Sequence, residues 1–164
     1  MKAAEKHIAV SFQKAQRENM LFGQYELSLD GDRTLVIPQS LYEAFKDGLT
    51  ITRGFDHNLV LMSNQTFGEI NERVSGLNIA DPLARLLRRL ILGNAATLTV
   101  SEIGMLTIPE ELMSYASLEK DVILVGQGDY CEVWAPDYWE QQTATLLDST
   151  ANAGRFAQLN LALH

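Results

Sequence analysis

The side chains best able to do chemistry in this chain do not form a catalytic set. Its three histidines, at positions 7, 57 and 164, are far apart in the sequence, and the single cysteine, Cys131, lies in a strand-like apolar stretch. Metal sites and nucleophilic sites need several such groups at a recognisable spacing. The sequence also lacks a phosphate-binding glycine loop and a G-x-S-x-G elbow. We therefore predict a protein that is not an enzyme, has no cofactor, metal site or small-molecule substrate, and buries Cys131 as an inert thiol.

The remaining candidate for a functional site is a short acidic turn. Residues 29–38 read LDGDRTLVIP, so that Asp30, Asp32 and Arg33 crowd into one turn between two apolar runs. An arginine at such a tip can meet the two acceptors of guanine in the major groove, while nearby hydroxyl and amide groups bind phosphates. In the alternative, Arg33 is a solvated residue paired with Asp30 or Asp32, and Asp30 caps its own backbone.

The turn and its flanking strands occur twice. Residues 100–109 read VSEIGMLTIP, and Pro109 follows Pro38 by 71 residues. The correspondence continues with a one-residue gap, because Gly54 aligns with Gly126. A unit of about fifty residues has little core of its own. We therefore predict a mixed α+β fold, mainly β, in which two tandem repeats share one core.

Charge is distributed unevenly along the chain, whose formal net charge is −8. Residues 1–21 and 81–92 each carry +2, whereas residues 22–80 carry −4 and residues 93–145 carry −8. A surface that meets a polyanion should therefore combine basic residues of the N-terminal arm with the first turn, because the second repeat repels phosphate. The acidic total counts against nucleic acid as a partner.

Alternation and turn residues predict the elements around the turn. A hairpin is expected through residues 25–37, then a two-turn helix with Ser40 and Glu43 as its capping box, then a second hairpin through residues 49–62. The second repeat is expected to follow the same order, and Pro136 opens its last helix.

These elements divide the chain into five parts. They are an N-terminal arm (1–21), a first repeat (22–76), a linking helix (77–93), a second repeat (94–146) and a C-terminal tail (147–164). Apolar residues at helical spacing predict a short docking helix in the tail, namely Phe156, Leu159 and Leu163. No apolar run approaches the roughly 20 residues of a membrane span and no signal peptide is evident, so we expect a cytoplasmic protein.

The linking helix is expected to begin at Asp81, followed by Pro82. Its predicted buried face consists of five residues, Leu83, Leu86, Leu87, Leu90 and Ile91. Arg85 and Arg89 lie four residues apart on one side, where they either face solvent or pair with carboxylates of another subunit. We favour the subunit interface.

Several separate motifs resemble those of the MraZ family of bacterial proteins. In order they are FGQYELSLD, LVIP, TRGFDHNLVL, ADPLARLLRRLILGNAA, LEKDVILVGQG and EVWAPDYWE, and they cover roughly residues 20 to 145. The resemblance implies two SpoVT-AbrB-type swapped-hairpin β-barrels in one chain and a homo-oligomeric ring of several chains. It also implies a nucleoid-associated transcriptional regulator that binds double-stranded DNA at promoter repeats of the division and cell-wall gene cluster.

The sequence departs from the family where DNA contact is implied. Family members carry Asp-x-x-Gly-Arg in each turn, and the arginine is implied to reach DNA. The first turn keeps the aspartate as Asp30, but Arg33 stands one place early and Thr34 occupies the arginine position. In the second turn Ser101 replaces the aspartate and Met105 the arginine.

The predicted functional residues follow from the turn chemistry, the charge distribution and the resemblance. The DNA-binding set is Lys14, Arg17, Asp30, Asp32, Arg33 and Thr34. The subunit interface is assigned to Arg85 and Arg89, which match family arginines. Two alternatives remain, an oligomeric interaction scaffold that has lost most DNA binding and an antitoxin-like module.

Overall fold

The computed structural model describes residues 20–159. In this part both repeats have the same order of elements: strand, strand, helix, strand, strand, helix, helix. The first repeat contains β1 (Gln24–Ser28), β2 (Thr34–Val36), α1 (Gln39–Phe45), β3 (Leu49–Arg53), β4 (Leu59–Ser63), α2 (Asn64–Ser75) and α3 (Pro82–Ile91). The second contains β5 (Ala96–Leu98), β6 (Met105–Thr107), α4 (Glu110–Tyr115), β7 (Asp121–Gly126), β8 (Tyr130–Trp134), α5 (Pro136–Leu147) and α6 (Ser149–Ala157). The predicted tandem repeat and mixed α+β class are confirmed.

The repeats exchange their first strands. A six-stranded antiparallel sheet has the order β1-β7-β8-β4-β3-β5, and β2 pairs with β6 in a separate two-stranded ribbon. Thus β1 lies on the β7–β8 hairpin of the second repeat, and β5 lies on the β3–β4 hairpin of the first. The hairpin predicted through residues 25–37 is wrong, because β1 and β2 find partners in the other repeat. The hairpin through residues 49–62 is confirmed.

The sheet does not close into barrels. Strands β1 and β5 lie at its two ends and do not pair with each other. The two implied β-barrels are therefore replaced by one shared open sheet with the β2–β6 ribbon beside it. The reason is that the exchanged strands β1 and β5 stay at opposite edges of the sheet, where no hydrogen bonds join them into a closed ring.

One core takes side chains from both repeats, as predicted. Its fully buried members include Leu35, Phe45 and Ile51 from the first repeat and Ile108 and Leu124 from the second. Burial of such side chains contributes about 1.5–3 kcal/mol each. Because each repeat completes the apolar surface of the other, neither has a complete core alone.

Local chemistry explains the helix starts. The Asp81 carboxylate accepts a hydrogen bond from the Leu83 amide (2.8 Å), and Pro82 follows as the first helical residue of α3, as predicted. The predicted capping box at Ser40 is wrong, because α1 already begins one residue earlier, after Pro38. The Ser40 hydroxyl instead lies 3.0 Å from the hydroxyl of Tyr25.

Stacked aromatic rings from both repeats pack against one another beside the sheet. The ring of His57 lies between those of Tyr115 and Tyr138, with centroid distances of 5.7 and 5.6 Å. The Arg53 guanidinium lies 4.6 Å from the Tyr115 ring centroid, in cation–π geometry. The Tyr115 hydroxyl donates to the Gly54 carbonyl (2.8 Å). His57 therefore has a packing role, and residues 20–159 contain no metal-binding group of His, Cys, Asp and Glu side chains.

Burial raises the pKa of three titratable side chains on strand β8, those of Tyr130, Cys131 and Glu132. Cys131 is fully buried, as predicted, and burial raises the pKa of its thiol to about 12. The carboxylate of Glu132 accepts hydrogen bonds from the Trp134 indole (2.9 Å) and the Gln127 amide (3.3 Å). Burial raises the pKa of this carboxyl above its ordinary 4.5, against the opposing effect of the Trp134 hydrogen bond.

The helices from α1 to α6 have at most 12 residues. None of them is long and apolar enough to cross a membrane.

Glu132→Gln should remove a pH dependence of stability. A carboxyl whose pKa is higher in the folded chain stabilises the fold below its unfolded-state pKa, and this stabilisation is lost as pH rises through the folded-state pKa. The free energy of unfolding is measured by urea titration between about pH 4 and pH 8. The value for Glu132→Gln should rise relative to that of wild type as pH rises. Glu140→Gln on the exposed side of α5 is the control. A difference between Glu132→Gln and wild type that is constant with pH would contradict this account.

Candidate nucleic-acid interface

The β2–β6 ribbon carries the residues that follow the two turns. Its register pairs Thr34 with Thr107, Leu35 with Leu106, and Val36 with Met105. Leu35 and Leu106 are buried in the core. Because side chains alternate along a strand, the other four residues form the outer face of the ribbon. A two-stranded ribbon is one of the elements that the major groove of DNA admits.

Each turn is held by the opposite repeat. The Ile108 amide donates to the Arg33 carbonyl (3.0 Å), and the Ile37 amide donates to the Gly104 carbonyl (2.9 Å). Arg33 and Gly104 are equivalent in the two repeats, and both have a positive φ, of 62° and 84°. This conformation is ordinary for glycine but costs about 1–2 kcal/mol for other residues. Arg33 therefore occupies a backbone position that favours glycine.

The Asp30 carboxylate is used inside its own turn. It accepts hydrogen bonds from the amides of Asp32 (2.9 Å) and Thr34 (2.8 Å). In the second turn the Ser101 hydroxyl accepts one from the Met105 amide (3.0 Å) in the same way. The Asp30 carboxylate thus caps its own backbone, which is the alternative considered to a DNA contact. Ser101 caps the second turn in the same way, so this turn forms without an aspartate.

The Arg33 side chain turns back toward the second repeat. Its Nη1 donates to Oε2 of Glu110 at 3.1 Å, at the start of α4, and not to Asp30 or Asp32. The Nε atom is buried and has no hydrogen-bond partner within residues 20–159. The two side chains are 41% and 80% exposed, so the ion pair contributes at most about 1 kcal/mol. Arg33 can therefore exchange Glu110 for another anion at little cost.

Neutral side chains occupy the ribbon positions at which the resemblance implies arginines. The Thr34 hydroxyl lies 3.1 Å from that of Thr107, and Met105 lies opposite Val36, which is 52% exposed. A cleft of about 540 Å³ runs between this face and residues 97–101 of the second repeat. The turns and the start of α4 add five carboxylates, those of Asp30, Asp32, Glu102, Glu110 and Glu111. The outer face therefore presents hydroxyl and methyl groups inside an acidic border.

The other predicted residues are not part of the ribbon. Lys14 and Arg17 lie outside the residues that the structure describes, as does Leu163 of the predicted tail helix. Arg85 and Arg89 are exposed on α3. Arg85 also has a role within the chain, since its Nη1 donates to the carbonyls of Ile79 (2.8 Å) and Ala80 (3.0 Å).

The apolar side of α3 is wider than the surface that the sheet covers. Ala84 is buried, and the Thr52 hydroxyl of β3 donates to the Ile91 carbonyl (2.6 Å), which places this flank on the sheet. Leu83 and Leu86 are 70% and 61% exposed. The predicted buried face is therefore wrong, because one sheet covers only half of a broad stripe. Leu83 and Leu86 are exposed, and the other three residues, Leu87, Leu90 and Ile91, are only half-buried. Sequence reasoning missed this surface, although an apolar stripe broader than one contact can cover was a visible signal.

Because the φ of Arg33 is positive, glycine should be more stabilising than alanine at this position, which reverses the usual order. Arg33→Gly and Arg33→Ala both lose the ion pair with Glu110, so their difference isolates the backbone conformation. We expect Arg33→Gly to be more stable than Arg33→Ala by about 1 kcal/mol in urea unfolding. At the neighbouring Asp32, where φ is not positive, the alanine variant should be at least as stable as the glycine variant. The same order of stabilities at both positions would refute the argument.

Comparisons with known proteins agree with this repeat structure. The model of the MraZ protein family, a family described as antitoxin-like, matches residues 20–90 and again residues 91–160. A protein named transcriptional regulator MraZ from Thermomicrobium roseum is 35% identical over 127 residues, which are 77% of this chain and 89% of that protein. Proteins of the same name from Herpetosiphon aurantiacus and a Roseiflexus species are 34% and 35% identical, over 81% and 85% of this chain and 90% and 95% of their own lengths. The chain therefore belongs to the MraZ family.

Proposed function

We propose that this protein is a DNA-binding transcriptional regulator that acts as a ring-like homo-oligomer on promoter repeats of the division and cell-wall gene cluster, in association with the nucleoid. The observation that supports this best is the β2–β6 ribbon, which has one exposed face and a turn from each repeat beside it. The family relatives, which are named transcriptional regulators, support the same class of function.

In this proposal the ribbon enters the major groove and the turns approach the phosphates. Asp30 and Asp32 shape the first turn, Arg33 exchanges Glu110 for a phosphate, and Thr34 faces a base edge. Lys14 and Arg17 of the N-terminal arm add phosphate contacts. One ribbon per chain binds weakly, because the surrounding carboxylates oppose the phosphates. Repetition of the ribbon around a ring raises avidity without new contacts.

Two different apolar surfaces support the oligomer. The first is the uncovered flank of α3, with Leu83 and Leu86 beside Arg85 and Arg89. The second lies where α5 meets α6 and contains three exposed residues, Leu146, Leu147 and Phe156. The second repeat is strongly acidic, which complements the arginines of α3. A contact between two unlike surfaces of successive subunits is heterologous, and it closes into a ring when the rotation permits.

A salt-dependent titration tests DNA binding. A duplex from the promoter of the protein's own operon should bind more tightly than a scrambled duplex of equal length, and the affinity should fall as salt rises. Arg33→Ala should weaken binding to both duplexes and lower the salt slope by about 1, because one phosphate contact is lost. Lys46→Ala, which removes another surface cation paired with a glutamate, is the control. Equal or absent binding to the two duplexes would contradict the proposal.

Light scattering tests the oligomer. Leu86→Glu should lower the molar mass of the assembly, because a carboxylate on the uncovered flank of α3 cannot be buried against another apolar surface. Arg85→Glu should act in the same direction. Phe55→Glu is the matched control, since Phe55 is also exposed but lies in the β3–β4 loop. An unchanged mass for Leu86→Glu would show that α3 is not the interface.

The neutral ribbon favours a second candidate function. Residues 20–159 place no arginine or lysine on its outer face, and Arg33 is engaged by Glu110. A scaffold that keeps the oligomer and binds protein partners through this face would show the mass change of Leu86→Glu without promoter binding.

A further inference from the structure

We propose that the outer face of the β2–β6 ribbon selects A·T base pairs by apolar contact with the 5-methyl group of thymine. The proposal rests on the DNA-binding function proposed above and specifies which base that function reads. The residues concerned are Thr34, Val36, Met105 and Thr107.

The geometry of the ribbon brings methyl groups to one surface. These four side chains alternate with the buried Leu35 and Leu106, so they share the face that points away from the core. Each of them ends in or carries a methyl group. The Thr34–Thr107 pair and the Val36–Met105 pair are two residues apart along the strands, about 6.8 Å. This separation is close to about two steps of 3.4 Å along a DNA strand, so the two pairs can address base pairs two steps apart.

The chemistry of the face determines which base it can distinguish. Guanine is read by a cationic fork that donates two hydrogen bonds, and adenine by the side-chain amide of Asn or Gln. The outer face has none of these groups at its four positions. Hydroxyl groups bind either kind of base edge, whereas the thymine methyl is the one apolar feature of the major groove. Discrimination by this face therefore comes from the methyl group.

The Arg33 side chain is assigned to a different contact. Its Nη1 donates to Glu110 at the start of α4, and in the proposed function it exchanges this carboxylate for a phosphate and not for a base edge. The five carboxylates at the border weaken phosphate contacts. A larger share of the binding free energy then comes from neutral contacts with bases.

The test removes the thymine methyl and nothing else. Binding of the full chain is measured with the promoter duplex and with the same duplex in which every dT is replaced by dU. We expect weaker binding to the dU duplex, by about fourfold for each methyl group contacted. Thr34→Ser removes the matching methyl from the protein but keeps the hydroxyl that lies next to Thr107. It should weaken binding to the dT duplex and have little further effect on the dU duplex.

Thr143→Ser on α5 is the control, because it makes the same chemical change in another element. Equal affinity for the dT and dU duplexes would overturn the inference and leave the proposed function intact. Absence of binding to either duplex would overturn both. A Thr34→Ser effect that is the same on the two duplexes would assign Thr34 to the fold of the ribbon and not to thymine contact.

Discussion

The reciprocal hydrogen bonds that join each turn to the end of the opposite ribbon strand are the interaction on which the rest of this structure depends. The Arg33 carbonyl accepts a hydrogen bond from the Ile108 amide, just after β6, and the Gly104 carbonyl accepts one from the Ile37 amide, just after β2. These bonds hold β2 against β6, and in the larger sheet β1 and β5 likewise pair with strands of the other repeat. Because every repeat lacks a strand that the other supplies, the chain folds as one sheet and one core.

The same constraint determines what the ribbon can present. A turn that must end with a positive φ leaves little freedom at position 33, and this protein places an arginine there at some cost in backbone energy. The side chain is then directed toward α4, where Glu110 accepts its hydrogen bond. The outer face is left to neutral side chains, and two of them, Thr34 and Met105, stand where the resemblance to the MraZ family implies arginines.

The apolar surface of α3 has two parts, one packed on the sheet and one exposed. One flank of α3 covers β3, and the other carries Leu83 and Leu86 on the surface. In the proposed function these two leucines belong to the contact between subunits. The fold therefore separates the proposed functions in space, with the ribbon for DNA and the helix pairs for contacts between subunits.

The sequence by itself determined the features that depend on neighbouring residues. The repeat, the order of elements, the start of α3 at Asp81 and Pro82, and the buried Cys131 all follow from local backbone chemistry and alternation. Tertiary structure alone decided the strand partners, since alternation marks a strand without naming the strand it pairs with. It also decided that Arg33 meets Glu110, 77 residues away. The sequence shows how wide the apolar stripe of α3 is, but the position of the sheet in the tertiary structure decides which half of the stripe it covers.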